Sequence, residues 1–196
     1  PMRFFERRKK IEAHFESGVS DAVMMSSRDG VRWERCFPEA WIRPGLDPHN
    51  WTDRSTMVAH GIAQCSPNEY SIYVTEHYRW PDNRLRRYSI RKDGFASIGA
   101  KRELGTFITK PILVNGSSLF LNYSTSASGF VLVEVLDEDY RPIKDFEKDE
   151  TNQIYGDEIA KEIIWNKHFT LRESQGKKVR FKFYLSDSNI FAFQIK

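Results

Sequence analysis

The tightest constraint on the fold is an alternation of apolar side chains with a period of two. In Phe130-Val131-Leu132-Val133-Glu134-Val135 the three valines fall on one side of an extended chain, and Phe181, Phe183 and Leu185 do the same further along. Successive side chains of a strand point to opposite faces, so each stripe calls for a sheet with one buried face and a second layer to pack on it. From about Asp21 onward comparable short runs recur between Gly, Pro, Asn, Asp and Ser. They are Ala22–Ser27, Arg32–Cys36, Met57–Gln64, Tyr70–His77, Leu85–Arg91, Phe107–Val114, Ser118–Tyr123, Phe130–Leu136, Ile159–Trp165, Lys178–Ser186 and Ile190–Ile195. The pattern predicts an all-β chain. Asp29-Gly30, Asp93-Gly94 and Asn115-Gly116 lie between apolar runs and predict hairpin turns. Only the first 16 residues have a spacing compatible with a helix, with Phe4, Ile11 and Phe15 near one face.

A border near residue 100 follows from two shifts in composition. Four of the five tryptophans (Trp33, Trp41, Trp51 and Trp80) precede it, and Ser97–Gly105 holds two glycines and few strand formers. The charge divides in the same way: residues 1–100 carry 16 basic and 13 acidic side chains, residues 101–196 carry 14 of each. The chain is therefore read as two regions, 1–100 and 101–196, within the size range of small domains.

The net charge of +3 is too small and too local to make a polyanion-binding surface. Its densest run, Arg7-Arg8-Lys9-Lys10, reads as a solvated face, and nucleic acid is not an expected partner. No run reaches the ~18 apolar residues of a membrane span, and the charged opening residues are not followed by the apolar stretch of a signal peptide. The chain reads as soluble, without a membrane partner, and Pro1 ahead of Met2 reads either as a cleavage remnant before an initiator or as the start of a processed fragment. Cys36 and Cys65 are too few for a disulfide scaffold, lack a Cys-x-x-Cys spacing, and are expected as semi-buried free thiols. There is no Gly-x-Ser-x-Gly elbow and no glycine-rich phosphate loop, so neither a serine hydrolase nor a nucleotide-binding protein is indicated. No cofactor and no metal are expected.

Ser26-Ser27-Arg28-Asp29-Gly30-Val31-Arg32-Trp33-Glu34-Arg35 has the form of a strand, a Ser-x-Asp-Gly turn and a returning strand with an inward Trp. Together with Ala40-Trp41-Ile42-Arg43-Pro44-Gly45-Leu46-Asp47-Pro48-His49-Asn50-Trp51-Thr52-Asp53-Arg54, Tyr73–Tyr78 and Arg84–Phe95, it resembles the end of the five-bladed propeller in bacterial proteins similar to glycoside hydrolase families 32 and 43. In those proteins a C-terminal β-sandwich follows, and Thr109–Pro111, Leu121–Ser126 and Tyr155–Ile159 look like that sandwich. The resemblance implies partial β-propeller blades followed by a jelly-roll-like β-sandwich, and carbohydrate as the partner. A blade takes ~40–45 residues, so the first region holds two at most. The family's catalytic carboxylates belong to earlier blades and have no counterpart here, so no catalytic residue is carried over and the isolated chain is expected to be inactive. An alternative is a non-catalytic carbohydrate-binding or structural module. An open set of blades also leaves apolar faces uncovered, which predicts self-association or completion by missing N-terminal blades.

The substrate-binding candidates are Trp51, Asp53, Arg54, His60, Glu76 and Tyr78. Trp51 offers a ring for stacking, and Asp53 with Arg54 offers an acid and a guanidinium for sugar hydroxyls ahead of the strand Met57–Gln64. Glu76, His77 and Tyr78 end the next strand, where a carboxylate and an imidazole can move protons. Adjacent strand residues face opposite ways, so Glu76 and His77 need partners from elsewhere, His60 among them. Asp137-Glu138-Asp139 and Asp157-Glu158 are read as solvated turns, not as calcium ligands.

Overall fold

The structure, a computed structural model, describes residues 1–8, 10–11, 18–166 and 170–196. Phe15 of the expected helix lies outside the described residues. The chain is all-β and divides into two units, Pro1–Ile90 and Arg91–Lys196, ahead of the border read from composition.

Unit 1 begins with a strand where a helix was expected. β1 (Met2–Phe5) pairs antiparallel with β2 (Val19–Ala22). Arg3 reaches across the pair with Nε and a terminal nitrogen each 2.7 Å from an Asp21 oxygen, an alignment that needs the extended register. The Phe4 ring lies over Gly18 so closely that a Cβ there would come within 2.3 Å of it. The unit's other sheet has four strands: β3 (Met57–Val58) and β4 (Ala63–Gln64) pair with opposite ends of β5 (Glu69–Glu76), which also pairs with β6 (Arg84–Arg91). The single strand expected over Met57–Gln64 is interrupted around Gly61, whose φ of +93° breaks the pleat. The unit's core is small: buried Ala22, Ile42, Ile72 and Val74, flanked by Trp41, Val58, Tyr88 and Ile90.

The hairpin expected at Asp29-Gly30 is reduced to one bridge, Ser26 to Glu34. Asp29 Oδ1 accepts the N–H groups of Val31 and Arg32, both at 2.8 Å, which ties the returning arm into the turn instead of a ladder. Trp33 is not inward: it is 56 % exposed, and its Nε1 donates to the carbonyl of Gly30. Cys36 and Cys65 are free and exposed, not semi-buried.

Unit 2 is dominated by two strands of 18 residues, β10 (Leu119–Leu136) and β12 (Lys178–Ile195), paired antiparallel. Each fuses two of the shorter expected strands. The register sets Val131 opposite Leu185, Val133 opposite Phe183 and Val135 opposite Phe181, so the two alternating stripes face each other across the ladder and are buried together. Tyr123, Phe146, Ile163 and Trp165 complete that core. β11 (Asp157–Ile163) flanks β10, while β7 (Ile98–Ala100), β8 (Gly105–Ile108) and β9 (Ile112–Leu113) pair with β12. Asp93-Gly94 and Asn115-Gly116 make turns, yet neither closes a hairpin: β6 and β7 pair with different strands, and β9 and β10 both pair with β12. No helix among the described residues is long and apolar enough to cross a membrane.

Candidate functional site

Several charged side chains of unit 1 gather around one imidazole, at a site built from two short segments. In the first, Asp47 caps a single 3-10 turn, Pro48–Asn50, with Pro at its first position and the His49 N–H donating to Asp47 Oδ1 at 3.0 Å. That turn fixes Asp47, projects the ring of His49, and buries Asn50. The second segment leaves the end of β5 and returns into β6. His77 and Arg79 adopt left-handed φ values of 54° and 69°, which side chains other than glycine take up at a cost of ~1–3 kcal/mol. Neighbours hold the strained turn: the His77 N–H donates to Asn50 Oδ1 at 3.1 Å, and the Tyr78 N–H donates to Ser55 Oγ at 3.2 Å.

The His77 ring is 4 % exposed and lies between two carboxylates. Its Nε2 is 2.7 Å from Asp47 Oδ2 and its Nδ1 is 2.7 Å from Asp82 Oδ2. Arg84, at the start of β6, places one terminal nitrogen 3.3 Å from His77 Nε2 and 3.6 Å from Asp47, and donates from Nε to Glu76 Oε2 at 3.0 Å. Glu76 is buried and also receives Arg86 Nε at 2.7 Å and the Tyr88 hydroxyl at 3.3 Å. On the other side His49 stacks on Trp80, centroids 3.9 Å apart and planes 9° from parallel, and meets the His77 ring edge-on at 4.9 Å. The ligand-capable atoms of Asp47, His49 and His77 all lie within 4.8 Å of one another.

All three carboxyls are held below their ordinary range. For Asp47 burial pushes upward, but the His77 hydrogen bond, the His49 N–H and the electrostatic influence of the two rings together outweigh it. The His77 contact is the main cause for Asp82. For Glu76 burial again opposes, and Arg86 and Arg84 overcome it. Glu76 in turn raises Arg86, and burial with the Glu76 charge raises the Tyr88 phenol. Carboxylates kept ionised in this way are acceptors only.

Of the six substrate-binding candidates only Glu76 enters this cluster through its side chain, beside His77, which the sequence reading places next to it. His77 ends the pleat with its left-handed φ, and Arg84 bridges it to Glu76, so the opposite-face argument gives way to a shared guanidinium. Asp53 is buried, itself left-handed, and pairs with Arg79 at 3.0 Å. The guanidinium of Arg54 lies 5.8 Å above the ring of Phe4, and His60 is exposed between β3 and β4. Trp51 is half-buried, donates from Nε1 to Gly45 O at 2.7 Å and carries Lys10 Nζ 4.8 Å over its ring. Tyr78 is half-buried and joins the site only through its backbone. His49 stands isolated in the sequence and is set aside for that reason, and Asp47, Trp80, Asp82, Arg84 and Arg86 are not among the candidates. The Asp-Pro-His sequence at 47–49 carries a legible helix-cap signal, but nothing in the spacing announces that it meets residues 76–86.

Comparison with protein-family models, with curated proteins and with solved structures gives no match to this chain.

Proposed function

We propose that this is a carbohydrate-associated protein that binds sugar without cleaving it, through the Asp47–His77–Asp82 cluster of unit 1. The observation that carries the reading is the placement of two partly exposed carboxylates 2.7 Å from opposite nitrogens of one buried ring, 39 % and 54 % exposed at Asp47 and Asp82. Acceptors fixed in this way, with the half-exposed donors Arg84 and Arg86 beside them, complement the vicinal hydroxyls of a sugar. The stacked His49–Trp80 pair supplies the flat apolar surface that the C–H face of a sugar ring packs on.

Binding is favoured over hydrolysis because glycoside cleavage needs one carboxylic acid held protonated beside a second carboxylate. Asp47, Asp82 and Glu76 are all pushed the other way. The resemblance to glycoside hydrolases of families 32 and 43 supports the same substrate class. On this reading unit 1 derives from propeller blades and unit 2 from the following sandwich, and hydrolysis would require blades from another polypeptide.

The test is titration of the purified chain with a panel of neutral mono- and oligosaccharides, followed by amide chemical shifts. Saturable shifts at residues 47–50 and 77–84, lost in Asp82→Ala, support the proposal. Shifts confined to unit 2, or none at millimolar sugar, refute it, and glycan turnover by the chain alone refutes its non-catalytic part.

A further inference from the structure

We infer that Asp47, His49 and His77 form a binding site for a divalent transition-metal ion of the zinc class, with Asp82 orienting one of its ligands. The inference does not rest on the sugar reading. It starts from a hydrogen-bond count. A neutral imidazole donates from one nitrogen and accepts at the other, yet both nitrogens of His77 face carboxylate oxygens at 2.7 Å. If Nδ1 donates to Asp82, Nε2 and Asp47 Oδ2 present lone pairs to each other, and either a second ring proton or another positive centre has to lie between or beside them. Part of that charge comes from Arg84, whose terminal nitrogen is 3.3 Å from Nε2 and 3.6 Å from Asp47.

The third ligand makes the arrangement fit a metal better than a proton. His49 stands against the same two groups, so two imidazoles and a carboxylate offer their atoms within 4.8 Å of one another. Tetrahedral zinc with bonds of ~2.0–2.2 Å separates its ligands by ~3.4 Å, so modest rotations of the half-exposed Asp47 and His49 side chains close the set. Two histidines and one carboxylate leave a coordination position open, as zinc sites that bind water or substrate do. The surroundings match a metal site as well: the far nitrogen of His77 is held by the Asp82 carboxylate, the partner that ligating imidazoles commonly have. His49 is backed by its stack on Trp80, and the His49 N–H holds Asp47 Oδ1 while Oδ2 faces the His77 ring. Arg84, a half-exposed side chain, is the group that swings aside when the ion enters.

The experiment uses the untagged full chain with Zn2+ by calorimetry, and with Co2+ by visible d–d absorption and quenching of tryptophan fluorescence. The expected result is one equivalent bound, a tetrahedral cobalt spectrum, and quenching that Trp80→Phe removes. His49→Ala and Asp47→Asn each weaken binding at least tenfold, and Arg84→Ala tightens it by removing the competing cation. Because His77 is buried, the two half-exposed positions carry the test, and circular dichroism verifies that their variants keep the fold. Absence of binding at millimolar metal, or affinity unchanged in both His49→Ala and Asp47→Asn, overturns the assignment.

Discussion

Tyr123 provides a quantitative check on how unit 2 is held together. Its ring is fully buried in the β10–β12 core, and its hydroxyl donates to Tyr155 O at 2.9 Å with Glu158 Oε1 at 3.3 Å. Burial, followed by the Glu158 charge and hydrogen bond and the Asp157 charge, raises its pKa from 10.0 to about 12. Tyr123→Phe removes the hydroxyl and costs about 1–2 kcal/mol at neutral pH, the usual worth of a buried hydrogen bond and the acceptor it leaves. The alkaline range tests the cause. A folded-state pKa above the unfolded value contributes stability in full below pH 10, and that contribution falls as pH climbs toward 12. Two pKa units amount to about 2.7 kcal/mol lost by the natural chain over that window, and the phenylalanine variant is spared the loss. The stability difference between the two proteins should therefore shrink above pH 10 and reverse in sign near pH 12. Urea denaturation followed by far-ultraviolet circular dichroism between pH 8 and 12 measures it, with phenolate absorbance reporting ionisation. A difference that stays constant across that range would refute the reasoning.

Other outcomes follow from particular contacts. Glu76→Gln exchanges two charge-assisted bonds from half-exposed guanidiniums for weaker ones and should destabilise unit 1 by about 2 kcal/mol. Four of the five tryptophans report that transition by fluorescence, and an unshifted urea midpoint would show that the network contributes nothing. Trp165→Phe loses the buried bond from Nε1 to Val133 O at 2.9 Å and part of the contact with Phe146, with an expected cost of about 2 kcal/mol in unit 2. A midpoint unchanged by circular dichroism would contradict it. Gly129→Ala places a Cβ 2.3 Å from Asp187 O and 2.8 Å from Ser186 O, so the β10–β12 ladder must part there. Hydrogen exchange should quicken at Phe130 and Ser188, and unaltered protection would speak against so close an approach.

What the sequence makes legible is set by how local the cause is. The stripes Val131, Val133, Val135 and Phe181, Phe183, Leu185 were readable because a strand's period is two, and their burial follows directly. Their mutual register was not, since pairing Val133 with Phe183 depends on the whole ladder. Neither was the fusion of short runs into strands of 18 residues, because Ser124-Thr125-Ser126-Ala127-Ser128-Gly129 resembles a turn and becomes an irregular stretch within β10. At the N-terminus a weak apolar spacing suggested a helix, and the cross-strand grip of Arg3 on Asp21 prevailed. Turn signals were the least transferable: Asp93-Gly94 bends the chain without joining its flanking strands. The charged cluster was hidden for a further reason. Its members are contributed by residues 47–50 and 76–86, and they meet only because His77 adopts a backbone angle that no spacing rule anticipates.

The long ribbon of unit 2 bears on how the molecule is made. β10 finds its pairing partner β12 only after the whole intervening stretch has been synthesised, from the nearest pair, Leu136 with Arg180, to the farthest, Leu119 with Ile195. At ~5–20 residues per second, β10 waits several seconds outside the ribosome with its valine stripe unsheltered. A nascent chain in that condition is a natural client for holdase chaperones, and slowing translation between Asp137 and Lys177 should lower the soluble yield.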